Sequence, residues 1–169
     1  MADEKSTSGE NGASIPAFNL QRIYLKDLSV EIPHAPAIFL DNTSPKLEFQ
    51  VDSNSQEIDN EMVEVSVTCS VTCRLGDKIG FLIEGCEAGI FEIKNVDDKQ
   101  KELLKGITCP NIVYPYLRAN IADALQRASF PPVHLTEINW ELFYQESNKN
   151  SQLLARYIFT MQMMILKEY

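Results

Sequence analysis

Residues 63–74 read Val63-Glu64-Val65-Ser66-Val67-Thr68-Cys69-Ser70-Val71-Thr72-Cys73-Arg74, an unbroken alternation of apolar and polar side chains. A period of two is the signature of a β-strand, because successive side chains leave opposite faces of the sheet. Val63, Val65, Val67, Cys69, Val71 and Cys73 take one face, and Glu64, Ser66, Thr68, Ser70, Thr72 and Arg74 take the other. A strand with one dry and one wet face belongs to an antiparallel sheet covered on one side only. This segment therefore decides the fold class.

Leu75-Gly76-Asp77 follows as a short turn, so residues 78–93 return as the hairpin partner. Upstream, Leu47, Phe49 and Val51 alternate with Lys46, Glu48, Gln50 and Asp52, and the polar stretch 53–60 reads as a turn. Further back, Leu28, Val30 and Ile32 alternate with Asp27, Ser29 and Glu31 in a strand that starts near Phe18. Residues 32–45, with three prolines at 33, 36 and 45, form a long connection. Its Ile38, Phe39 and Leu40 indicate a loop that packs down on the body of the protein.

After Asn95 the periodicity turns helical. A short charged segment over 97–105 ends at Gly106, and a longer helix begins near Thr108-Cys109-Pro110, with Pro110 in the first turn. Leu117, Ile121, Leu125 and Ala128 recur at helical spacing, with Pro115 inside to bend or delay the helix, and residues 129–132 end it. A last helix starts at the N-cap Asn139, with Glu141 favoured in its first turn. The apolar stretch 151–169 reads as a C-terminal helix too short and polar to span a membrane. Residues 1–14 lack large apolar side chains after Met1 and read as a disordered tail. Four strands followed by helices make an α+β domain over 15–169.

The chain has 169 residues, of which 44% are hydrophobic and 23% charged, an ordinary globular balance that excludes wholesale disorder. Acidic residues outnumber basic ones 24 to 15, for a net charge of −9. That excess argues against nucleic acid, whose binding needs Lys and Arg on phosphates, and against insertion into or docking on an anionic membrane. A partner with a basic surface is favoured. No apolar leader opens the chain, so the reading is cytoplasmic, with Cys69, Cys73, Cys86 and Cys109 reduced and acting as small buried hydrophobes. Cys69 and Cys73 stand about 13 Å apart along one strand and cannot bridge.

Catalysis finds little footing. His34 and His134 sit in separate proline-flanked loops, and the glycines at 76, 80, 85 and 89 form no phosphate cradle. Cys109, at a helix start, is the one candidate reactive thiol, against packing beneath the helix. The reading is no enzyme, no metal and no cofactor. More informative are Phe39, Phe49, Trp140, Phe143, Tyr144, Tyr157 and Phe159: ordinary core, or the walls of a partly open groove between loop, sheet edge and helix. Asp27 and Glu31 share a strand face, with Glu84 beside them if the strands are neighbours: a solvated face, or a docking site for a basic partner.

In order along the chain stand Gln21-Arg22-Ile23-Tyr24 with Lys26-Asp27, Ala88-Gly89-Ile90-Phe91, and Cys109-Pro110-Asn111-Ile112 with Tyr114-Pro115-Tyr116 and Arg118. Phe130-Pro131, Leu135, Ile138, Asn139 and Trp140 to Phe143 complete the series. Over residues 18–146 this ordered set resembles SecB, the cytoplasmic protein-export chaperone family. The resemblance implies a four-stranded antiparallel sheet with two main helices packed on one face, and a homotetramer arranged as a dimer of dimers. It implies a holdase without ATPase activity that keeps unfolded preproteins translocation-competent and delivers them to the SecA motor. Carried onto this chain, Ile38, Phe39, Leu47, Phe49, Val51, Trp140, Phe143 and Tyr144 would line the client groove. Asp27, Glu31, Leu82 and Glu84 would dock SecA, which is expected to present a basic, zinc-binding tail. The competing reading is a generic or antitoxin-linked chaperone on the same fold, with the groove but no export role.

Overall fold

A computed structural model describes residues 15–59, 61–149 and 157–159. Four long strands dominate it: β1 (Ala17–Glu31), β2 (Pro45–Glu57), β3 (Met62–Leu75) and β4 (Lys78–Lys94). They form one antiparallel sheet in the order β1-β4-β3-β2, and a short fifth strand, β5 (Tyr157–Phe159), is added outside β2. Gly76, at φ +61°, makes the tight β3–β4 turn in a conformation that side chains disfavour.

Register turns the alternation of single strands into rows across the sheet. One inner-face row runs Val30, Ile83, Val71, Phe49; the next runs Leu28, Gly85, Cys69, Val51; a third runs Phe81, Cys73, Leu47. The helices cover this face. A helix α1 (Asp98–Leu103) is capped by Asp97, whose side chain accepts from the Gln100 amide at 2.7 Å. It passes through a π turn (Leu104–Thr108) into α2 (Cys109–Arg127), which lies across β4 and β3. Gly85 explains the close fit: a Cβ there would stand 2.9 Å from Leu117 Cδ1 and 3.4 Å from Ile121 Cγ1. Val113, Leu117, Ile121 and Leu125 of α2 are fully buried against Val63, Val65, Val67, Cys69 and Val71. Each such side chain contributes about 1.5–3 kcal/mol on leaving water. The last helix, α3 (Trp140–Lys149), is capped by Asn139, which accepts from the Leu142 amide at 3.0 Å.

Several expectations change. Residues 53–57, read as turn, continue β2, because full pairing to β3 as far as Glu57 opposite Val63 outweighs their poor strand propensity. Gly106 does not end a helix; it sits inside the π turn, and the helical backbone runs on through Pro115 to Arg127. Cys109 is consequently not at a free helix start. Residues 157–159, read as helix, are a strand; the rest of 151–169, like the tail 1–14, lies outside the described residues. Ile38 is buried in a 3-10 turn (Ala37–Leu40), so the proline-rich connection does pack down.

Candidate functional site

Two surfaces collect the side chains singled out above. The first lies on the sheet's outer face. The β1–β4 ladder sets Asp27 opposite Cys86, Ser29 opposite Glu84 and Glu31 opposite Leu82. Since Gly85 faces α2, the even positions of β4 face away from it. Asp27, Glu31, Leu82 and Glu84 therefore share one face at one end of the ladder, with the three carboxylates exposed and Leu82 half-buried. Among the described residues none of the three carboxylates has an ion-pair partner. Three other acids of the same face, Glu64, Glu48 and Glu92, are neutralised. Glu64 is held by the Lys26 ammonium and accepts from the Tyr24 hydroxyl at 2.8 Å, which together keep its carboxyl below the ordinary range. Glu48 pairs with Arg74 at 3.2 Å and Glu92 with Lys94 at 2.5 Å. The Asp27–Glu31–Glu84 corner thus gathers three exposed carboxylates on neighbouring strands, while Asp52, exposed on the same face of β2, stands apart from them.

The second surface follows β2. At its first end Phe39 is 46% exposed and Leu40 84% exposed. The Phe39 ring lies 5.3 Å from that of Phe130, which lies 4.8 Å from that of Phe81. Leu47, half-buried, is in the same cross-sheet row as Phe81. At the other end, Phe143 and Tyr144 of α3 line an open cleft of about 180 Å³ with Ser53, Asn54 and Ser55 of β2 and Lys105 and Gly106 of the π turn. The Tyr144 ring reaches this deeply because residue 106 has no side chain.

The eight apolar positions thus fall into three sets. Phe39 and Leu47 mark one end, with Ile38 buried beneath. Tyr144 and the edge of Phe143 mark the other. Between them Phe49, Val51 and Trp140 are core residues, Phe49 only 4% exposed, with Trp140 packed edge-on to Tyr114 at 5.7 Å and to Phe143 at 5.3 Å. Phe130, half-buried under Phe39, was missed, as was the core ring of Phe81 beneath it, 3% exposed. Phe130 reads in sequence as part of a helix stop, and Phe81 joins it only through the β3–β4 register.

Burial pushes the Cys69 and Cys109 thiols up to about 12 and raises that of Cys73 as well, while Cys86 is half-buried. Among the described residues no cluster of His, Cys, Asp and Glu could hold a metal, and no helix is long and apolar enough to cross a membrane.

The family model described as preprotein translocase subunit SecB matches residues 11–151. The chain belongs to the SecB family. Protein-export protein SecB of Janthinobacterium sp. (strain Marseille) is 57% identical over 131 residues, 78% of this chain and 80% of that protein. SecB of Bordetella avium is 47% identical over 146 residues, 86% of this chain and 85% of its own. In three dimensions the chain superposes, at a TM-score of 0.59 and 16% identity, on a SecB-like chaperone of Mycobacterium tuberculosis solved with a ChAD peptide from an antitoxin, covering 72% of this chain and 90% of that one. The last likeness concerns the fold. Membership of this family makes the chain a protein-export chaperone and not an enzyme.

Proposed function

We propose that this SecB holds unfolded preproteins along the β2 surface and hands them to the SecA ATPase through the acidic corner. It works in the cytoplasm, as a homotetramer built as a dimer of dimers. A holdase recognises what unfolded chains share, apolar side chains and backbone, so its surface should be greasy and adaptable. Phe39, Leu40 and Leu47 at one end and Tyr144 at the other suit that demand, with the buried Phe49, Val51, Ile38 and Trp140 and the packed Phe143 as the floor that fixes them. Each anchor of a client contributes about 1.5–3 kcal/mol, while ordering a floppy chain costs about 4–15 kcal/mol. One groove binds weakly, and several on a tetramer restore affinity through effective concentration.

The observation that carries the export reading, against a generic or antitoxin-linked chaperone, is the unpaired trio Asp27, Glu31 and Glu84. Three like charges gathered and exposed on neighbouring strands suit a basic partner, because grouped surface charges raise the association rate and fix orientation. Light scattering tests the assembly and the client claim together. Expected are a tetrameric mass for the chain alone and a heavier complex with a reduced, unfolded polypeptide; a monomer, or no complex, overturns the reading.

A further inference from the structure

β2 is paired very unequally on its two sides. Towards β3 it pairs along its whole length, from Pro45 opposite Leu75 to Glu57 opposite Val63. Towards the outside, among the described residues, it pairs at Phe49, Gln50 and Val51, opposite Phe159, Ile158 and Tyr157 of β5. A long strand edge with free N–H and C=O groups is a template for any extended chain. Here the stretch paired to β5 lies midway between the two ends of the proposed groove, after Leu47 and before Ser53.

We propose that the outer edge of β2 is a strand-acceptor site whose resident strand is this chain's own segment Tyr157–Ile158–Phe159, seated as a built-in competitor for extended clients. The inference rests on the client-binding reading above and specifies how the groove is gated. Residue types agree: aromatic, β-branched and aromatic residues are those that strands favour, and extended apolar preprotein segments share them. So does reach. Eight residue steps separate Lys149, the end of α3, from Tyr157 and span at most about 26–29 Å. The α3 aromatics already stand against Ser53–Ser55, three residues or about 10 Å along β2 from the paired stretch. The tether holds the segment close to its seat at high effective concentration. The three pairs among the described residues are few against the thirteen that join β2 to β3, so a longer client strand can displace the segment. A client must then compete with residues 157–159 for backbone groups before it spans both aromatic ends.

The test uses the full chain and two single variants, Tyr157→Pro and Ile158→Pro. Alternate residues of a strand direct their N–H groups to opposite sides, so one variant removes a donor aimed at β2. Neither position lies within the four-stranded core. The probe is reduced, carboxymethylated α-lactalbumin, and the readouts are its Kd and amide hydrogen exchange at residues 49–51 and 157–159. A resident strand seated 80–90% of the time would raise the apparent Kd about five- to tenfold, so at least one variant should bind the probe tighter by that factor. In the parent chain, saturating probe should deprotect 157–159 while 49–51 stay protected. Equal or weaker binding by both variants overturns the competitor and leaves client binding standing. Protection of 157–159 that falls on dilution assigns the strand to a second copy and overturns residence in the same chain. Failure of parent and variants alike to bind the probe overturns the client reading itself, and this inference with it.

Discussion

Asn120 of α2 donates a 2.7 Å hydrogen bond to Oε2 of Glu87, a carboxyl group on β4 that is only 3% exposed. The bond ties the long helix to the sheet, at the level where Leu117 and Ile121 press on Gly85. Burial pushes the Glu87 carboxyl above its ordinary value, and the Asn120 bond, which favours the charged form, only partly offsets this. An acid raised in the folded state favours folding fully below the ordinary carboxyl range, and that contribution is lost as pH climbs through the raised value.

Glu87→Gln keeps an oxygen for Asn120 and removes the charge. Its stability over the parent chain should be greatest at pH 7–8 and should vanish below about pH 4, where both side chains are neutral. Urea unfolding across pH measures this; a gap that widens in acid would contradict it. Glu57, Glu64 and Glu92, held below their ordinary range by lysines, pull the other way in both proteins and cancel in the comparison.

Gly106→Ala should loosen α3. The new Cβ would stand 2.5 Å from Tyr144 Cε2, so the ring must give up its seat over residue 106. A loss of about 1–3 kcal/mol is expected, as for other overpacked sites. Adding Tyr144→Ala should recover most of the Gly106→Ala increment, which a double-mutant cycle would show.

Phe39 and Phe49 should behave as opposites. Phe39→Ala truncates a half-exposed ring beside Phe130, so it should weaken binding of an unfolded polypeptide several-fold while leaving Tm within a few degrees. Phe49→Ala empties a buried core position and should cost about 3–5 kcal/mol of stability. Paired calorimetric titration and thermal melts separate the two; a Phe39→Ala protein with unchanged client affinity would remove that ring from the groove.

Asp27→Lys with Glu31→Lys should weaken SecA binding, and the parent's affinity for SecA should fall steeply with added salt, since exposed charges act only within a Debye length of about 8–10 Å. Affinity for an unfolded polypeptide should be nearly unchanged, because the acidic corner lies on the sheet face turned away from α2. Unaltered SecA affinity in calorimetry would favour the chaperone without an export role.

Sequence alone determined the sheet, the hairpin at Gly76, the cap at Asn139, and the shared strand face of Asp27 and Glu31. All of these follow from local periodicity and local hydrogen-bond chemistry, which a short stretch of chain expresses unaided. Tertiary structure alone decided which groove residues are wall and which are floor. Phe49 and Phe39 are the same residue type, and only the register of β2 with β3, which sets Phe49 into the packed core, buries one and leaves the other on Phe130. Long-range contact likewise carried β2 through Ser53–Glu57, turned a glycine stop into a seat for Tyr144, and drew Tyr157–Phe159 from a helical pattern onto a strand edge. Backbone groups left unpaired by one segment are satisfied by another distant in sequence, and no local pattern records that debt.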